Sequence, residues 1–497
     1  MAAPVQTTYQ LRDYQQELIE KVFSQWCGGH RRLLMQLPTG AGKTVVFSAV
    51  SRQFTQRGEG VLVLAHREEL LLQAKEKLES VTNETAGLIK AAYPINPNFS
   101  VQIASVQTLN RRKNYPKARL VVVDEAHHSC AATYQSILEQ YPKAYILGVT
   151  ATPGRSDGQG FKNIFDALIL GRSVRQLIET GYLCPFKLFA APNVVKTDGV
   201  KITGGDYNQK ELAQAIDTSL VVGDLVKTWH KYAKGKKTVV FAVDVQHSEE
   251  IVLAYWEAGI TAEHLDGETP ALERKAILER FRTGETLVLS NCGIISEGFD
   301  LNNIEAVQCV RPTRSLILWL QMLGRSLRPA PGKEHAIIID HTQNWVYLGL
   351  PDDEHEWSLD AVSMAHQSMA LQCPKCQHIF RQLAHEKVNA DCPNCGATVP
   401  IKEAQEGLGL CNRVINQDEG VQLEEISLEV NSEIITELLK LKAMQVTRKY
   451  KPIWVYHEIV EKYPNIGLGE LRECAKLLGY KPGWAWLKWR ELQRQAV

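Results

Sequence analysis

The chain has 497 residues, with 56 basic against 56 acidic side chains and 11 cysteines. The even balance leaves no global field to hold nucleic acid or a charged membrane, so any basic surface must be local. Eleven cysteines in so long a chain do not make a secreted disulfide framework, residues Met1 to Thr8 show neither a basic n-region nor an apolar h-region, and no run approaches the ~20 apolar residues of a membrane span.

At about 150 residues per domain, a cytoplasmic protein of two to four domains is expected, without leader or membrane segment. Charge is uneven locally: two basic against nine acidic residues from Ile401 to Glu437, then twelve basic against five acidic from Leu438 to Val497.

In chain order, Tyr9 to Ile19 comes first, where Arg12 and Gln15 stand three apart on one helical face. A guanidinium and an amide so placed suit an adenine edge, or simply a solvated helix. Leu37 to Thr44 follows as Leu-Pro-Thr-Gly-Ala-Gly-Lys-Thr. A turn through Thr39, Gly40 and Gly42 lets successive backbone N–H groups converge on phosphate, and the next helix offers its positive end to the same anion. Lys43 would reach the β/γ-phosphates of ATP and Thr44 would ligate Mg²⁺. Leu37 departs from the generic phosphate loop, which has Gly there. The bland alternative is a tight strand-to-helix turn with an incidental lysine.

Short apolar runs recur at Val61–Ala65, Val101–Ser105, Leu120–Val123 and Tyr145–Val149, then at Thr238–Val243, Leu287–Ser290, Ala306–Val310 and Ala336–Ile339. Runs without alternation read as strands buried on both faces, and between helical segments they imply parallel α/β sheets. Two sets of four, parted by an irregular stretch from Pro192 to Asp206, predict two such domains, at 1–186 and 187–350. Within the third run's segment, Asp124 and Glu125 end a strand where α/β sheets bind ligands. Asp124 would hold Mg²⁺, and Glu125 would take a proton from an attacking water.

Gly-Ala-Gly-Lys-Thr, Asp-Glu-Ala-His at 124–127 and Thr-Ala-Thr-Pro at 150–153 resemble motifs I, II and III of the superfamily 2 DEAD/DEAH-box helicases. Val239–Asp244, Gly293–Asp300 and Gln321–Arg328 are similar to motifs IV, V and VI. The likeness spans about residues 9 to 345. Leu-Arg-Asp-Tyr-Gln at 11–15, Ala65–Leu70, Arg311–Thr313 and two downstream cysteine pairs most resemble RadD-type DNA-repair helicases and type III restriction translocase subunits of bacteria or phage. The resemblance implies two RecA-like domains that clamp one strand, close on Mg-ATP and reopen after hydrolysis. It makes Arg12 and Gln15 the adenine-reading pair and adds Gly298, Asp300 and Gln321 to the nucleotide site.

An arginine from a second domain can be withheld until the cleft closes, and such a finger is worth ~10³ to 10⁵ in rate. Arg325 and Arg328 share a predicted helical face that Pro329 ends, with Gln321 one turn earlier. Arg328 is read as the finger and Arg325 as the γ-phosphate partner; the alternative is a solvated basic helix end. In the family the nucleic acid is touched through phosphates by loops after strands, which implies His66, Arg67, Gln107, Thr108, Gly267, Thr269 and Thr313. For Arg111 and Arg112 a solvated charge run serves as well, and His128 and Cys184 have no assigned role.

Beyond Trp345 the pattern changes. Cys373-Pro-Lys-Cys376 and Cys392-Pro-Asn-Cys395, fifteen residues apart, have the spacing of a structural zinc ribbon, placed at 366–400, or of a redox pair. An acidic linker at 401–430 precedes a helical module at 431–497. There Asn431 or Ser432 would cap a helix with Ile434, Ile435, Leu438, Leu439 and Leu441 as its apolar stripe, stopped by Pro452. Trp454, Trp484, Trp486 and Trp489 among Lys481, Lys488, Arg490 and Arg494 read as a small core or as base-stacking groups.

The implied activity is ATP-dependent movement along nucleic acid, with DNA in replication or repair as substrate and ATP, Mg²⁺ and Zn²⁺ as cofactors. An ATP-gated DNA clamp, the motor subunit of a restriction or defence complex, and an RNA helicase are the alternatives. The C-terminal module is a candidate surface for a protein partner.

Overall fold

The computed structural model describes residues 10–66, 68–90, 93, 95–154, 160–190, 197, 199–215, 218–294, 303–360, 370–381, 389–400, 432–448, 450–464, 466, 468–478, 480, 488 and 492. Arg67, Gly298, Asp300, the 401–430 linker, Asn431, Trp484, Trp486 and Trp489 lie outside the described residues.

The first sheet takes β1 (Arg32–Gln36), β2 (Val61–Ala65), β3 (Gly87–Ile89), β4 (Val101–Ser105), β5 (Leu120–Asp124), β6 (Tyr145–Thr150) and β7 (Ala167–Leu170) in the order β3-β4-β2-β5-β6-β1-β7. All its pairings are parallel. Because helices cover both faces, every residue of β2, β4 and β5 is buried, which is why these strands read as unbroken apolar runs. β1 lies between β6 and the edge strand β7, and the chain leaves its carboxyl end directly into the glycine turn.

The second sheet opens with β8 (Phe186–Ala190). A small antiparallel hairpin follows, β9 (Ile202–Thr203) and β10 (Asp206–Tyr207), within the stretch that looked irregular in sequence. Then come β11 (Thr238–Phe241), β12 (Ala262–Leu265), β13 (Val288–Asn291), β14 (Ala306–Cys309) and β15 (Ala336–Asp340). Trp319 and Trp345 anchor this domain's core, the Trp319 indole donating to the Gly349 carbonyl at 3.0 Å.

The cysteine segment is joined to this second sheet. β16 (Ala370–Gln372) and β17 (His378–Arg381) form a hairpin whose second strand pairs antiparallel with β8, giving the order β12-β13-β11-β14-β15-β8-β17-β16. Within this segment β18 (Asn389–Asp391) and β19 (Thr398–Pro400) pair apart, as a two-stranded sheet. Arg381 pairs with Asp352 and Asp353, and Asp352 also faces Arg175 of the first domain at 3.8 Å. Further along this strap Leu359 enters the first domain's core, its carbonyl accepting from Phe161 N at 2.7 Å. Residues 350–360 therefore belong to both domains, which a boundary drawn at 350 does not capture.

The described residues from Ser432 onward form a separate compact unit. Its helices Ser432–Thr447, Ile453–Lys462 and Leu468–Leu478 bury Ile434, Leu438, Leu441, Ile459 and Leu471 together. Leu439 of the expected stripe is 52% exposed, so the buried face is narrower than the apolar pattern suggests. Trp454 is half-buried against that core.

Leu359→Ala should cost about 2 to 5 kcal/mol, as truncation of a well-packed leucine does, measured by denaturant unfolding. Ending the chain after Leu350 removes Leu359 and the β16–β17 hairpin together. It should therefore destabilise the protein by more than the point substitution, and a truncated chain as stable as the intact one would show that the strap adds nothing.

Candidate nucleotide cleft

The glycine turn gets its shape from backbone that few residues tolerate. Gly40 and Gly42 both have φ of 86°, in the left-handed region, and Gly42 caps the helix Lys43–Thr55. Leu37, where the generic loop has Gly, is fully buried, and its N–H bonds to the Thr150 carbonyl at 3.0 Å. The turn thus begins one step later than in the generic pattern, and Leu37 still serves as β1 core.

The helix Asp13–Cys27 braces this turn from outside. The Tyr14 hydroxyl donates to the Ala41 carbonyl at 2.7 Å and Gln15 Nε2 to the same oxygen at 3.3 Å, while Gln15 Oε1 accepts from Arg12 N at 3.1 Å. A Cβ on Gly42 would lie 2.6 Å from Gln15 Nε2, so the amide and the glycine fit only as a pair. Gln15 is buried and its amide bonds to backbone at both ends. Arg12 sits with its guanidinium 5.0 Å from the Tyr182 ring, and Tyr182 packs 4.9 Å from Tyr14. The arginine–tyrosine platform is the flat, cation-bearing surface here; the Tyr182 half of it went unread because Tyr182 lies 170 positions along the chain from Arg12.

Asp124 ends β5, and Glu125 follows with φ 47° and ψ 57°. A left-handed non-glycine residue is strained, and here it turns the glutamate out of the strand direction. Glu125 Oε2 is buried with no hydrogen bond, 3.5 Å from His127 Nδ1. Burial and the Glu125 charge push the Asp124 carboxyl up to about 7, with Lys43 opposing. Lys43 is the mirror case: burial pulls its ammonium down, against the pull of Glu125 and Asp124. Two buried acids that lack enough positive charge, one with an orphaned oxygen, suit a hard divalent cation and a water molecule. The φ > 0 glycines beside Lys43 suit a polyphosphate. ATP and Mg²⁺ therefore fit these residues.

His127 is one residue that went unassigned in the sequence. Its Nδ1 lies 3.5 Å from Thr150 Oγ1, and that hydroxyl donates to the Thr152 carbonyl at 3.1 Å. The acidic pair is thereby joined to the Thr150–Pro153 segment, which Gln36 Nε2 also holds through the Ala151 carbonyl at 3.0 Å. His128, left without a role, packs its ring 4.4 Å from His66 and 4.1 Å from His127.

The second domain meets this site through Gln321 to Arg328. The helix Leu316–Gly324, capped by Ser315, ends at Gly324 and not at Pro329. Arg325 and Arg328 lie on the turn beyond it, a correction to the shared helical face. Gly324 lies at the domain contact: a Cβ there would stand 2.6 Å from Thr39 Cβ, so the close approach at this point needs glycine. Across the contact Gly40 faces the Arg328 stem, where a Cβ would meet Cγ at 3.1 Å. Both guanidiniums come close enough to depress the Lys43 ammonium. Arg325 and Gln321 are buried and Arg328 half-buried. Beside the contact a cavity of about 320 Å³ is lined by Gln36, Thr152, Gly324, Leu327, Asp353 and Trp357.

Of the residues expected to touch nucleic acid, His66, Gln107 and Gly267 follow the carboxyl ends of β2, β4 and β12, with Gln107 and Gly267 exposed. Thr108 N donates to the Oγ of Ser105, which caps the helix, and Thr269 Oγ1 donates to Asp266 at 2.7 Å. Thr313 departs from the expectation: it is 1% exposed, its hydroxyl donating to Asp206 of the β9–β10 hairpin at 2.9 Å and its N–H to Asn344. Arg112 donates to the Tyr93 and Lys90 carbonyls.

Cys373, Cys376, Cys392 and Cys395 bring their sulfurs within 4.8 Å of one another, with 3.6 Å for Cys373–Cys395 and Cys376–Cys392. A tetrahedral site with Zn–S of about 2.3 Å separates its sulfurs by about 3.8 Å, so the four thiols fit such a metal. Among the described residues no helix is long and apolar enough to cross a membrane.

Residues 8–155 match the model of the type III restriction enzyme res subunit, and residues 220–330 that of the helicase conserved C-terminal domain. A 51.5 kDa protein of Lactococcus phage (isolate 7-9) is 35% identical over 407 residues, 80% of this chain and 84% of that protein. IRC3 of Saccharomyces cerevisiae is 34% identical over 351 residues, 66% of this chain and 51% of the yeast protein. Among solved structures, a fragment assigned to the HsdR subunit of a type I restriction enzyme from Vibrio vulnificus YJ016 superposes with a TM-score of 0.56. It is 24% identical and covers 70% of this chain and 68% of its own, a likeness of fold. With both domain models in place on two RecA-like sheets, the chain belongs to the superfamily 2 helicases, among relatives of the restriction-translocase kind.

Proposed function

We propose that the protein is an ATP-driven motor that moves along DNA, in replication or repair. One observation carries this reading: the Thr39–Gly324 contact sets Arg325 and Arg328 of the second domain beside the phosphate turn, with the Arg328 stem against Gly40 and both guanidiniums close enough to act electrostatically on Lys43. ATP bound here would supply the free energy, with Mg²⁺ neutralising its phosphates between Thr44 and Asp124. Lys43 binds the β/γ-phosphates, Thr39, Gly40 and Gly42 cradle them, and Arg12 stacks with Tyr182 beside the base. Glu125, held off the strand axis, accepts the water's proton at Oε2. Arg328 stabilises charge developing on the γ-phosphoryl group, with Arg325 beside it. Opening and closing of the contact at Gly324 would then step the two sheets along a strand touched through phosphates.

DNA is favoured over RNA because relatives carry DNA-acting names, among them the DNA 3'-5' translocase XPB2 of Sulfurisphaera tokodaii and the endonuclease subunit of the type I restriction enzyme EcoAI of Escherichia coli. ATP turnover should rise strongly on adding DNA. Stimulation by RNA alone would favour an RNA helicase, and tight ATP-dependent binding without turnover would favour a clamp.

Arg328→Ala should retain nucleotide binding and lose about 10³-fold or more of turnover; wild-type turnover would remove the finger assignment. Glu125→Gln should bind Mg-ATP and hold it unhydrolysed, since an amide cannot take the proton, checked by rapid filtration of labelled nucleotide.

Elemental mass spectrometry should find one zinc per chain, held by Cys373, Cys376, Cys392 and Cys395. Cys392→Ser should abolish it and loosen β18–β19 locally, because metal binding is the folding energy of so small a unit. The two α/β domains should stay folded, with part of the ATPase retained.

A further inference from the structure

Lys333 lies on the turn that follows the two arginines, in Pro331-Gly332-Lys333. Its ammonium has three N–H donors and the structure gives it three backbone carbonyls: Ser326, Arg328 at 3.0 Å and Ile304 at 2.7 Å. The carbonyl between the first two, that of Leu327, accepts from Cys184 N at 2.7 Å. Three consecutive carbonyls of the arginine turn are thus held from outside, two of them by one side chain. Ser326 closes the same turn from within, its hydroxyl and N–H both donating to the Leu323 carbonyl.

This arrangement is costly. Burial pulls the Lys333 ammonium down to about 8, with Cys184 and Glu305 opposing and Arg328 and Lys236 adding to the shift. A cation kept out of water beside the positive Arg328 persists only where its hydrogen bonds are complete. The helix that carries the turn stops at Gly324, so nothing helical fixes the path of residues 325–328.

We infer that Lys333 is a positioning residue for hydrolysis: by holding the Ser326 and Arg328 carbonyls against Ile304 at the foot of β14, it sets where the Arg328 guanidinium stands relative to Lys43. The inference rests on the ATPase reading above. Lys333 spends its three donors on backbone carbonyls. It acts through Arg328, and its removal leaves the phosphate cradle of the first domain intact.

The test is steady-state ATP hydrolysis by the full chain with DNA present, for wild type, Lys333→Met, Arg328→Ala and the double variant. Methionine keeps the apolar stem and removes all three donors. Displacing a catalytic group by an ångström costs about 10²-fold. Lys333→Met is therefore expected to lower kcat by about that factor, with KM for ATP within about twofold of wild type. In the Arg328→Ala background the same substitution should change kcat by less than about twofold, since the group it positions is gone.

Wild-type kcat in Lys333→Met, or a raised KM with kcat unchanged, would overturn the inference. So would a full further loss in the double variant. Should Lys333→Met fail to fold, Lys333→Gln, which keeps two N–H donors without the charge, carries the test with a smaller expected loss of kcat; an undiminished kcat there overturns it equally. A wild-type protein that turns over no ATP with any nucleic acid would take down the ATPase reading as well, whereas an active wild type matched by Lys333→Met overturns this inference alone.

Discussion

The contact between Gly324 and Thr39 is the constraint on which the rest of the cleft depends. A Cβ on Gly324 would sit 2.6 Å from Thr39 Cβ, so the two domains can approach only where the second presents bare backbone. Just past it the helix Leu316–Gly324 ends, so Arg325 and Arg328 stand on a turn beside the phosphate loop, where both act electrostatically on a lysine that two buried acids also influence. Positive and negative groups from separate domains meet in one poorly hydrated place, where each charge is worth more than at the surface. Lys43, Asp124 and Glu125 all come from the first domain; the arginines come from the second, which meets it at this contact.

Strain is concentrated at the same spot. Glu125 is a non-glycine residue in the left-handed region, at a cost of about 1 to 3 kcal/mol. Asp124 Oδ1 accepts from Glu125 N at 3.0 Å, and His127 flanks the Glu125 carboxylate, so the neighbours hold the turn in place. His127 in turn touches Thr150 on the adjacent strand. A change at the acidic pair is therefore felt at the end of β6, two residues from the cavity wall at Thr152.

Strands buried on both faces were legible because their apolar residues run together, with at most a polar residue or two in each. β12 was not, since it carries Glu263 and His264. Glu263 is buried all the same, accepting from Arg280 at 2.6 Å and from Thr286 at 2.6 Å, a satisfaction that depends on residues 17 and 23 positions away. β1 escaped for the same reason, through Arg32 and Gln36. The phosphate loop, acidic pair, cysteine quartet and arginine motif are local patterns and could be read directly. Tyr182 beside Arg12, Asp206 on Thr313 and Lys333 under Arg328 are meetings of distant or unpatterned residues, so no spacing announces them. The early end of the arginine helix was hidden too, because Gly324 is helical, Arg325 keeps helical backbone, and only Pro329 marks a stop in the sequence.

The antiparallel pairing of β17 with β8 has a consequence beyond linking the cysteine segment to the motor. Without it β8 would be the outer strand of a six-stranded sheet, and Phe186, Leu188 and Phe189 would border an open row of backbone donors and acceptors. Such an edge invites another chain to add to it. β17 covers that edge, and the hairpin places β16 outermost, a three-residue strand too short to template much. His378 Nδ1 lies 3.1 Å from the Leu188 carbonyl, and Phe189 stacks on Tyr232 at 4.2 Å, whose hydroxyl donates to the Cys376 carbonyl. The hairpin that carries Cys373 and Cys376 thus covers a sheet edge that would otherwise stand open, away from the nucleotide cleft.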